Sequence, residues 1–151
     1  MREFVSFLAF SGLRIDEARH IVWSDVDFKK GLLHVRVTKN GKDRWIPLNS
    51  NLRQLLDKMH AERAKESADK RVMEVFECQK SIDRAAKLVG VKRITHHDLR
   101  HLFATRCIEA GVDIPTVSRW LGHQDGGALC MKTYGHLRDE HSQREALKVT
   151  F

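Results

Sequence analysis

The chain has 151 residues, which is enough for one domain with a sizeable core. Its 42% hydrophobic and 31% charged residues exclude a disordered chain, and no apolar run approaches the roughly 20 residues of a membrane helix. The net charge of +7 favours a polyanionic partner such as nucleic acid, because surface lysines and arginines release counterions when they meet phosphates.

The three cysteines, Cys78, Cys107 and Cys130, give no sign of a cross-linked or metal-bound fold. They are odd in number, widely spaced and without a CxxC pair, so neither a disulfide framework nor a zinc site is predicted. The apolar stretch near the amino terminus is too short for a signal peptide and follows the acidic Glu3. We therefore expect a cytoplasmic protein in a reducing setting, without a membrane partner.

The first third of the chain is predicted to hold two helices and then short strands. Residues 1–11 carry apolar side chains at helical spacing, and Gly12 ends this element. A second helix is predicted over Ile15–Trp23. Three strands follow: Val26–Phe28, Leu32–Val37 and Arg44–Leu48. The Asn40-Gly41 pair between the last two strands predicts a β-hairpin.

The rest of the chain is predicted to be helical. After Pro47, apolar residues occur at helical spacing: Leu52, Leu55, Leu56 and Met59. Further helices are predicted over Ser81–Val89, His97–Ala110 and Asp113–Leu121, and residues 131–151 are expected to form one or two short helices and a tail. The predicted fold class is therefore α+β, mostly α-helical, with one small antiparallel sheet.

Four short polar segments carry residues suited to chemistry. The first holds Arg14 with Asp16 and Glu17 beside it, and an isolated arginine there would ordinarily pair with one of these carboxylates on the surface. The second is the predicted hairpin turn with Lys39 and Lys42. A lysine on such a turn usually protects an edge strand from aggregation, but a hairpin tip can also reach into a DNA groove and present its ammonium to the backbone.

The third segment, Thr95–Thr105, contains His97, Arg100 and His101 at the start of a predicted helix. Residues three and four positions apart are neighbours on a helix, so these side chains share one face. The spacing of the two histidines also permits a metal pair. However, no Glu follows the first histidine as in an HExxH site, and a third ligand is not obvious, so metal binding is not expected.

The fourth segment holds His123, in a Trp-Leu-Gly-His run, and Tyr134, the single tyrosine of the chain. A lone tyrosine is normally a core residue with its hydroxyl hydrogen-bonded. The chain neighbours of this tyrosine are polar or small: Lys132, Thr133, Gly135 and His136. This setting predicts that Tyr134 is not fully buried.

Together these motifs resemble the signature of the tyrosine recombinase, or phage integrase, family. The set consists of GLRxxE, a lysine on a hairpin turn before a Pro-Leu strand, HxLRH, LGH and a tyrosine soon afterwards. The motifs occur in the family's order and span Gly12 to Tyr134, nearly the whole chain. Each motif alone is weak evidence, whereas all five in order are specific. The resemblance implies the helical catalytic core of the DNA breaking-rejoining enzymes, with its small antiparallel sheet.

The resemblance implies a role for each residue that matches a family motif. Six residues would be catalytic: Arg14, Lys39, His97, Arg100, His123 and Tyr134. Asp16 and Glu17 match the acidic position that supports the first arginine, and His101 matches a supporting position after the second. Lys39 matches the hairpin lysine better than Lys42, because it keeps the family's distance to the downstream Arg and Pro-Leu pair.

The implied reaction is site-specific recombination of double-stranded DNA. Tyr134 would attack a phosphodiester held by two arginines and a histidine, His97 would take the phenol proton, and Lys39 would protonate the departing 5′-oxygen. The 3′-phosphotyrosyl bond conserves the energy of the broken link. Rejoining to another strand therefore requires neither ATP nor a metal or other cofactor.

The resemblance also implies that the chain is a catalytic-domain fragment. We expect an absent amino-terminal DNA-clasping domain and a truncated first helix, and we expect the fragment to bind DNA weakly. Full-length members form tetramers on DNA and exchange a carboxy-terminal segment, for which residues 145–151 are the candidate, while the fragment alone can be a monomer. His123 and Tyr134 lie a residue or two further apart than in many members. The sequence therefore leaves open which protomer's site Tyr134 serves.

Three other functions compete with recombination. A type IB topoisomerase uses similar chemistry to relax supercoils, but the short motifs are of the prokaryotic recombinase kind. A DNA-binding relative without activity would lack one or more of the six catalytic residues, and all six are present. A metallohydrolase built on His97, His101 and His123 would bind zinc stoichiometrically.

Overall fold

A computed structural model describes residues 1–36, 43–75, 77–123 and 128–135. This part of the chain is mostly helical and contains one small sheet, which confirms the predicted fold class. The helices are α1 Arg2–Ser11, α2 Ile15–His20, α3 Ser50–Glu62, α4 Gln79–Leu88, α5 His96–Glu109, α6 Ile114–Leu121 and α7 Ala128–Tyr134, and a 3-10 turn spans Trp23–Asp25. None of the helices in the described ranges is both long enough and apolar enough to cross a membrane.

The sheet is formed by three antiparallel strands in the order β1-β2-β3. Their bounds are β1 Val26–Asp27, β2 Leu32–Val35 and β3 Arg44–Pro47. Side chains alternate across a strand, so Leu33, Val35 and Ile46 enter the core. On the opposite face the rings of His34 and Trp45 stack with their centroids 4.1 Å apart. All three predicted strands are confirmed, each shorter than predicted. The predicted Asn-Gly turn between β2 and β3 lies outside the described residues.

The second helix ends at His20, earlier than predicted. Ile21 takes an extended conformation, with φ −65° and ψ 129°. The backbone N–H of Val22 then donates to a carboxylate oxygen of Asp25 at 3.0 Å, and the N–H of Trp23 donates to the carbonyl of Lys70 at 3.0 Å. Helical periodicity cannot indicate a partner so distant in the chain, and the helix was therefore predicted to extend too far, to Trp23.

Helix α1 packs against both α3 and α5. Its side chains Phe4, Phe7 and Leu8 are fully buried in a hydrophobic cluster that includes α3 and the sheet. A second cluster, around Phe103, joins α5, α6 and α7, and Trp120 packs against both clusters. Each buried side chain of this size contributes roughly 1.5–3 kcal/mol. The two clusters therefore hold the ends of α1, α5 and α6 in fixed positions relative to one another.

Gly12 ends α1 where that helix meets α5. Its φ of 65° lies in the left-handed region, and its N–H donates to the carbonyl of Leu8 at 3.0 Å. A Cβ atom at this position would lie 2.4 Å from Cδ1 of Phe103, well inside van der Waals contact. Both the backbone conformation and the packing therefore require glycine at the start of the GLR motif.

Replacing Gly12 by alanine should destabilise the fold more than the same change at a glycine in open space. The matched control is Gly90, with φ of 70° and no atom within 4 Å of a built Cβ. We expect Gly90→Ala to cost about 1–2 kcal/mol for the left-handed backbone. Gly12→Ala should cost about 1–3 kcal/mol more, because it overpacks the core. Urea unfolding measures both losses, and equal values would contradict this account of the packing.

Candidate active site

Five of the six residues predicted to be catalytic line one cavity of about 260 Å³. The complete lining is Arg14, His97, Arg100, His101, Leu121, His123, Thr133 and Tyr134. The sixth predicted residue, Lys39, lies outside the described residues. A larger cavity of about 690 Å³ opens beside α1, α5 and the start of α3, but its lining is mainly apolar and holds none of the predicted residues. We assign the site to the smaller cavity because the titratable groups converge there.

The start of α5 places three of the lining side chains. Thr95 caps the helix: its hydroxyl accepts from the N–H of Asp98 at 3.3 Å, and the carboxylate of Asp98 accepts from the N–H of Thr95 at 2.7 Å. This reciprocal cap fixes where the helix begins. It therefore also fixes the face on which His97, Arg100 and His101 lie.

Arg100 is held by the main chain at the ends of two other helices. Its side chain is only 9% exposed. Nη1 donates to the carbonyl of Gly12 at 2.7 Å, and Nη2 donates to the carbonyl of Leu121 at 2.5 Å. Nη2 also lies 3.4 Å from Nε2 of His123. A guanidinium has five N–H donors, so donors remain for a ligand in the cavity.

The cavity is suited to an anion. Burial lowers the pKa of Arg100 to about 10, the charges of Arg14 and Arg44 act in the same direction, and Glu17 opposes them. Arg100 nevertheless remains a cation at neutral pH. A buried cation whose hydrogen bonds go to carbonyl groups retains most of its positive charge for a ligand.

The end of α6 presents the carbonyl that the arginines share. Gly122 has a φ of 74° and caps α6, and the N–H of His123 donates to the carbonyl of Ser118 at 3.0 Å. The carbonyl of Leu121 then accepts from Arg100, and Nη1 of Arg14 lies 3.5 Å from it. The Leu-Gly-His run therefore acts as a helix cap that supports both arginines and positions the histidine.

The two acidic residues after Arg14 have different partners. Glu17 is only 4% exposed, and it accepts from the backbone N–H of Arg14 at 2.8 Å and from Nη1 of the same residue at 3.1 Å. Asp16 is 80% exposed and pairs with Arg19 at 2.7 Å. Both were expected to support the first arginine, and of these two described carboxylates only Glu17 is hydrogen-bonded to it.

Arg44, at the start of β3, is a member of this cluster that the sequence reasoning missed. Its Nη1 and Nη2 donate to the two carboxylate oxygens of Glu17, each at 2.9 Å, and its Nε donates to the carbonyl of Trp120 at 2.7 Å. The side chain is 10% exposed. The one available signal was an arginine opening a strand that follows the hairpin motif, and nothing local to the chain identifies its partners.

The environment of Glu17 favours the ionised carboxylate. Burial alone raises the pKa of this group, but the hydrogen bonds and charge of Arg44, together with those of Arg14, outweigh burial and lower the pKa below its ordinary value. Glu17 is therefore a buried carboxylate shared by two guanidiniums. Such a bidentate pair is strong and fixed in orientation.

Tyr134 is not fully buried, as predicted, but it is more buried than its polar neighbours in the chain suggest. Its side chain is 7% exposed and belongs to the cluster around Phe103. Helix α7 turns Lys132 and Thr133 outward and Tyr134 inward, because successive residues on a helix point in different directions. Burial raises the pKa of Tyr134, the neighbouring Cys130 raises it further, and Arg100 lowers it. The sequence prediction underestimated this burial because it considered neighbours in the chain rather than the helix face.

Two histidines of the cavity differ in their relation to the phenol. The hydroxyl of Tyr134 makes a short hydrogen bond with Nδ1 of His101. His97, the predicted base, is exposed, and its ring lies beside that of His96 with the centroids 4.6 Å apart. In this arrangement His101, which was expected to be supporting, contacts the predicted nucleophile directly. Within the described ranges, no three His, Cys, Asp or Glu side chains are grouped so as to hold a metal ion.

Replacing Glu17 by glutamine should destabilise the protein at neutral pH and less in acid. The folded state lowers the pKa of Glu17, so its carboxylate contributes stability that is complete above the ordinary pKa of about 4.3 and is lost as the pH falls through the folded value. We expect a cost of roughly 3 kcal/mol at pH 7, because the change leaves a buried arginine without its counter-charge.

The exposed neighbour provides the control for this variant. Asp16→Asn should cost less than about 0.5 kcal/mol at any pH, as surface substitutions usually do. Urea unfolding at pH 7 and at about pH 3.5, below the ordinary pKa of a glutamate, compares the two variants with the wild type. A deficit of Glu17→Gln that stays constant between these conditions would show that the charge of Glu17 is not the cause.

Comparison with known proteins relates this site to a family. A sequence model described as the phage integrase family matches residues 1–141. The tyrosine recombinase XerA of Pyrococcus furiosus is 35% identical over 130 residues, which cover 81% of this chain and 46% of that protein. The chain therefore spans about half the length of this curated relative.

Solved structures share the fold. The crystal structure of XerA recombinase has a TM-score of 0.74 at 28% identity, and the match covers 97% of this chain and 56% of that one. The Tn1549 transposon integrase, in complex with transposon right end DNA, has a TM-score of 0.73 at 20% identity and covers 97% of this chain and 58% of that one. At 20% identity the second likeness concerns the fold alone.

Proposed function

Because the chain belongs to the phage integrase family, we propose that its site cleaves a DNA phosphodiester with Tyr134 and rejoins the end to another strand. The observation that carries the proposal is that Tyr134 lines the same cavity as Arg14, Arg100 and His123. A nucleophile and three potential donors to an anion thus converge on one space. Double-stranded DNA is the partner that this chemistry and the net charge of +7 favour.

The arginines supply the phosphate-binding part of the site. A phosphodiester carries one negative charge, and more charge develops on its oxygens as a fifth bond forms at phosphorus. Guanidiniums can donate two parallel hydrogen bonds to these oxygens, which a lysine cannot do. Arg14 and Arg100 act as this clamp, and His123 donates a further hydrogen bond. Fixed donors of this kind each contribute on the order of 10²–10³ in rate.

Tyr134 attacks the phosphorus and forms a 3′-phosphotyrosyl bond, while the bond to the 5′-oxygen breaks. The phenol must lose its proton, and His101 is the acceptor in contact with it, with His97, which lines the same cavity, as the alternative. Lys39, which lies outside the described residues, is the candidate acid for the departing 5′-oxygen. The covalent bond conserves the energy of the link, so the scheme requires neither ATP nor a metal.

Recombination is favoured over the alternatives by the relatives. The proteins that resemble this chain bear recombinase and integrase names, and all the catalytic positions of the family motif are occupied in the sequence. Relaxation by a lone topoisomerase and binding without activity are the remaining candidates. Tetramer assembly on DNA and exchange of residues 145–151 remain predictions for the longer protein, and light scattering of the DNA complex tests the assembly.

A nicked suicide DNA substrate tests the proposed chemistry. Loss of the short fragment beyond the nick traps the covalent intermediate, which is visible as a protein–DNA adduct under denaturing conditions. Wild type should form the adduct in the presence of a chelator, and Tyr134→Phe should form none, because its ring has no nucleophilic oxygen. Equal DNA binding by the two proteins is the control. An undiminished adduct with Tyr134→Phe would exclude the proposed nucleophile.

Paired histidine variants identify the group that takes the phenol proton. If His101 is the base, His101→Ala should slow adduct formation roughly 10²- to 10⁴-fold, while His97→Ala should have the smaller effect. Single-turnover rates at saturating protein make the comparison independent of DNA affinity. The reverse ranking would return the role of base to His97 and leave His101 as a support for the tyrosine.

A further inference from the structure

Arg44 is a buried charge with no role in the proposed reaction. It does not line the cavity of about 260 Å³ that holds the tyrosine. Its side chain is only 10% exposed, and its hydrogen bonds go to groups that adjoin the cavity lining. A buried guanidinium loses its hydration and is retained only where its donors are satisfied.

The contacts of Arg44 link three separate segments of the site. From β3 it reaches both carboxylate oxygens of Glu17 on α2, at 2.9 Å each, and the carbonyl of Trp120 on α6, at 2.7 Å. It also lies against the turn that follows α6. A Cβ atom on Gly122 would be 2.9 Å from its Nη1 and 3.0 Å from its Cζ. Glycine is therefore required in the Leu-Gly-His run partly to make room for this guanidinium.

These contacts determine the surroundings of both phosphate-binding arginines. Glu17, which Arg44 orients, also accepts the backbone N–H of Arg14 at 2.8 Å. The turn that Arg44 supports carries the carbonyl of Leu121, which accepts from Arg100 at 2.5 Å. A displacement of either element moves a guanidinium relative to the phosphate.

The charges of the cluster also connect Arg44 with the two phosphate-binding arginines. Three guanidiniums, those of Arg14, Arg44 and Arg100, surround the single carboxylate of Glu17. The guanidinium of Arg44 contacts both oxygens of Glu17 with two donors, whereas the guanidinium of Arg14 contacts one oxygen with one donor, at 3.1 Å. Arg44 therefore offsets more of the carboxylate's charge than Arg14 does, which leaves the charges of Arg14 and Arg100 available to attract phosphate.

We propose that Arg44 is a positioning residue of the active site, which fixes Glu17 and the turn after α6 so that Arg14 and Arg100 face the scissile phosphate. The inference rests on the proposed DNA cleavage. It predicts an effect on the rate of the covalent step that exceeds any effect on DNA affinity, because the groups that Arg44 orients act most strongly in the transition state.

The test compares Arg44→Lys with a matched control, Arg63→Lys. Arg63 is also a partly buried arginine, and it donates to the carbonyls of Val72 at 2.7 Å and Arg71 at 2.9 Å while pairing with Glu66 at 2.6 Å. It does not line the cavity. Both changes keep the charge and lose the planar fork, so they should have similar effects on stability.

Three quantities are measured on the 151-residue chain: the urea midpoint, the affinity for the nicked DNA, and the single-turnover rate of adduct formation at saturating protein. We expect Arg44→Lys to slow adduct formation roughly 10- to 100-fold, as a displacement of about 1 Å does, with affinity changed less than about threefold. Arg63→Lys should leave the rate within about twofold of wild type. In the part of the chain that the structure describes, Arg63 shares no partner with the residues of the cavity, and changes at such independent sites do not affect one another.

The outcomes separate the two proposals. Wild type that forms no adduct overturns the proposed function and this inference with it. Wild type that forms the adduct, with Arg44→Lys as fast as Arg63→Lys, leaves the function intact and overturns the role of Arg44. If Arg44→Lys does not fold, the double variant Glu17→Gln/Arg44→Met removes both buried charges together, which proteins tolerate better than removal of one. A wild-type rate in that variant likewise overturns the role.

Discussion

Two main-chain carbonyls, those of Gly12 and Leu121, accept hydrogen bonds from the buried guanidinium of Arg100. Both carbonyls lie at the carboxyl ends of helices, where the last turn leaves such groups without partners within the helix. The arginine satisfies them, and they fix the plane of the arginine. One interaction thus joins the ends of α1 and α6 to the start of α5. This part of the cavity forms where the three helix termini meet around the guanidinium of Arg100.

The hydrogen-bond partners of the three arginines explain why the site keeps an excess of positive charge. Glu17 is the carboxylate of the cluster, and Arg14 and Arg44 divide it between them, whereas the hydrogen bonds of Arg100 go to carbonyls. A site with balanced charges would be more stable when empty but would attract an anion less. This arrangement instead costs stability in the absence of a ligand, as functional sites commonly do. The hydrophobic clusters on either side supply the compensating stability.

Tyr134 illustrates how packing and chemistry are combined in one side chain. Its ring is part of the core between α5, α6 and α7, while its hydroxyl reaches His101 at the cavity. Burial raises the pKa of the phenol and so keeps it neutral at rest, whereas Arg100 lowers the pKa and favours the ionised form. In the proposed reaction the tyrosine is therefore protected until a proton acceptor and a phosphate are both in place.

The sequence was enough to predict the helices, the hairpin strands, the fold class and six of the residues that line the cavity. These depend on periodicities of two and 3.6 residues and on short motifs, which act over a few neighbouring positions. The packing of the helices was needed to see that Glu17 rather than Asp16 contacts Arg14, and that Tyr134 is largely buried. It alone brought Arg44 to Glu17, 27 positions away in the chain, and to the carbonyl of Trp120, 76 positions away. No local pattern encodes such pairs, because the partners become neighbours only after the helices that carry them have packed.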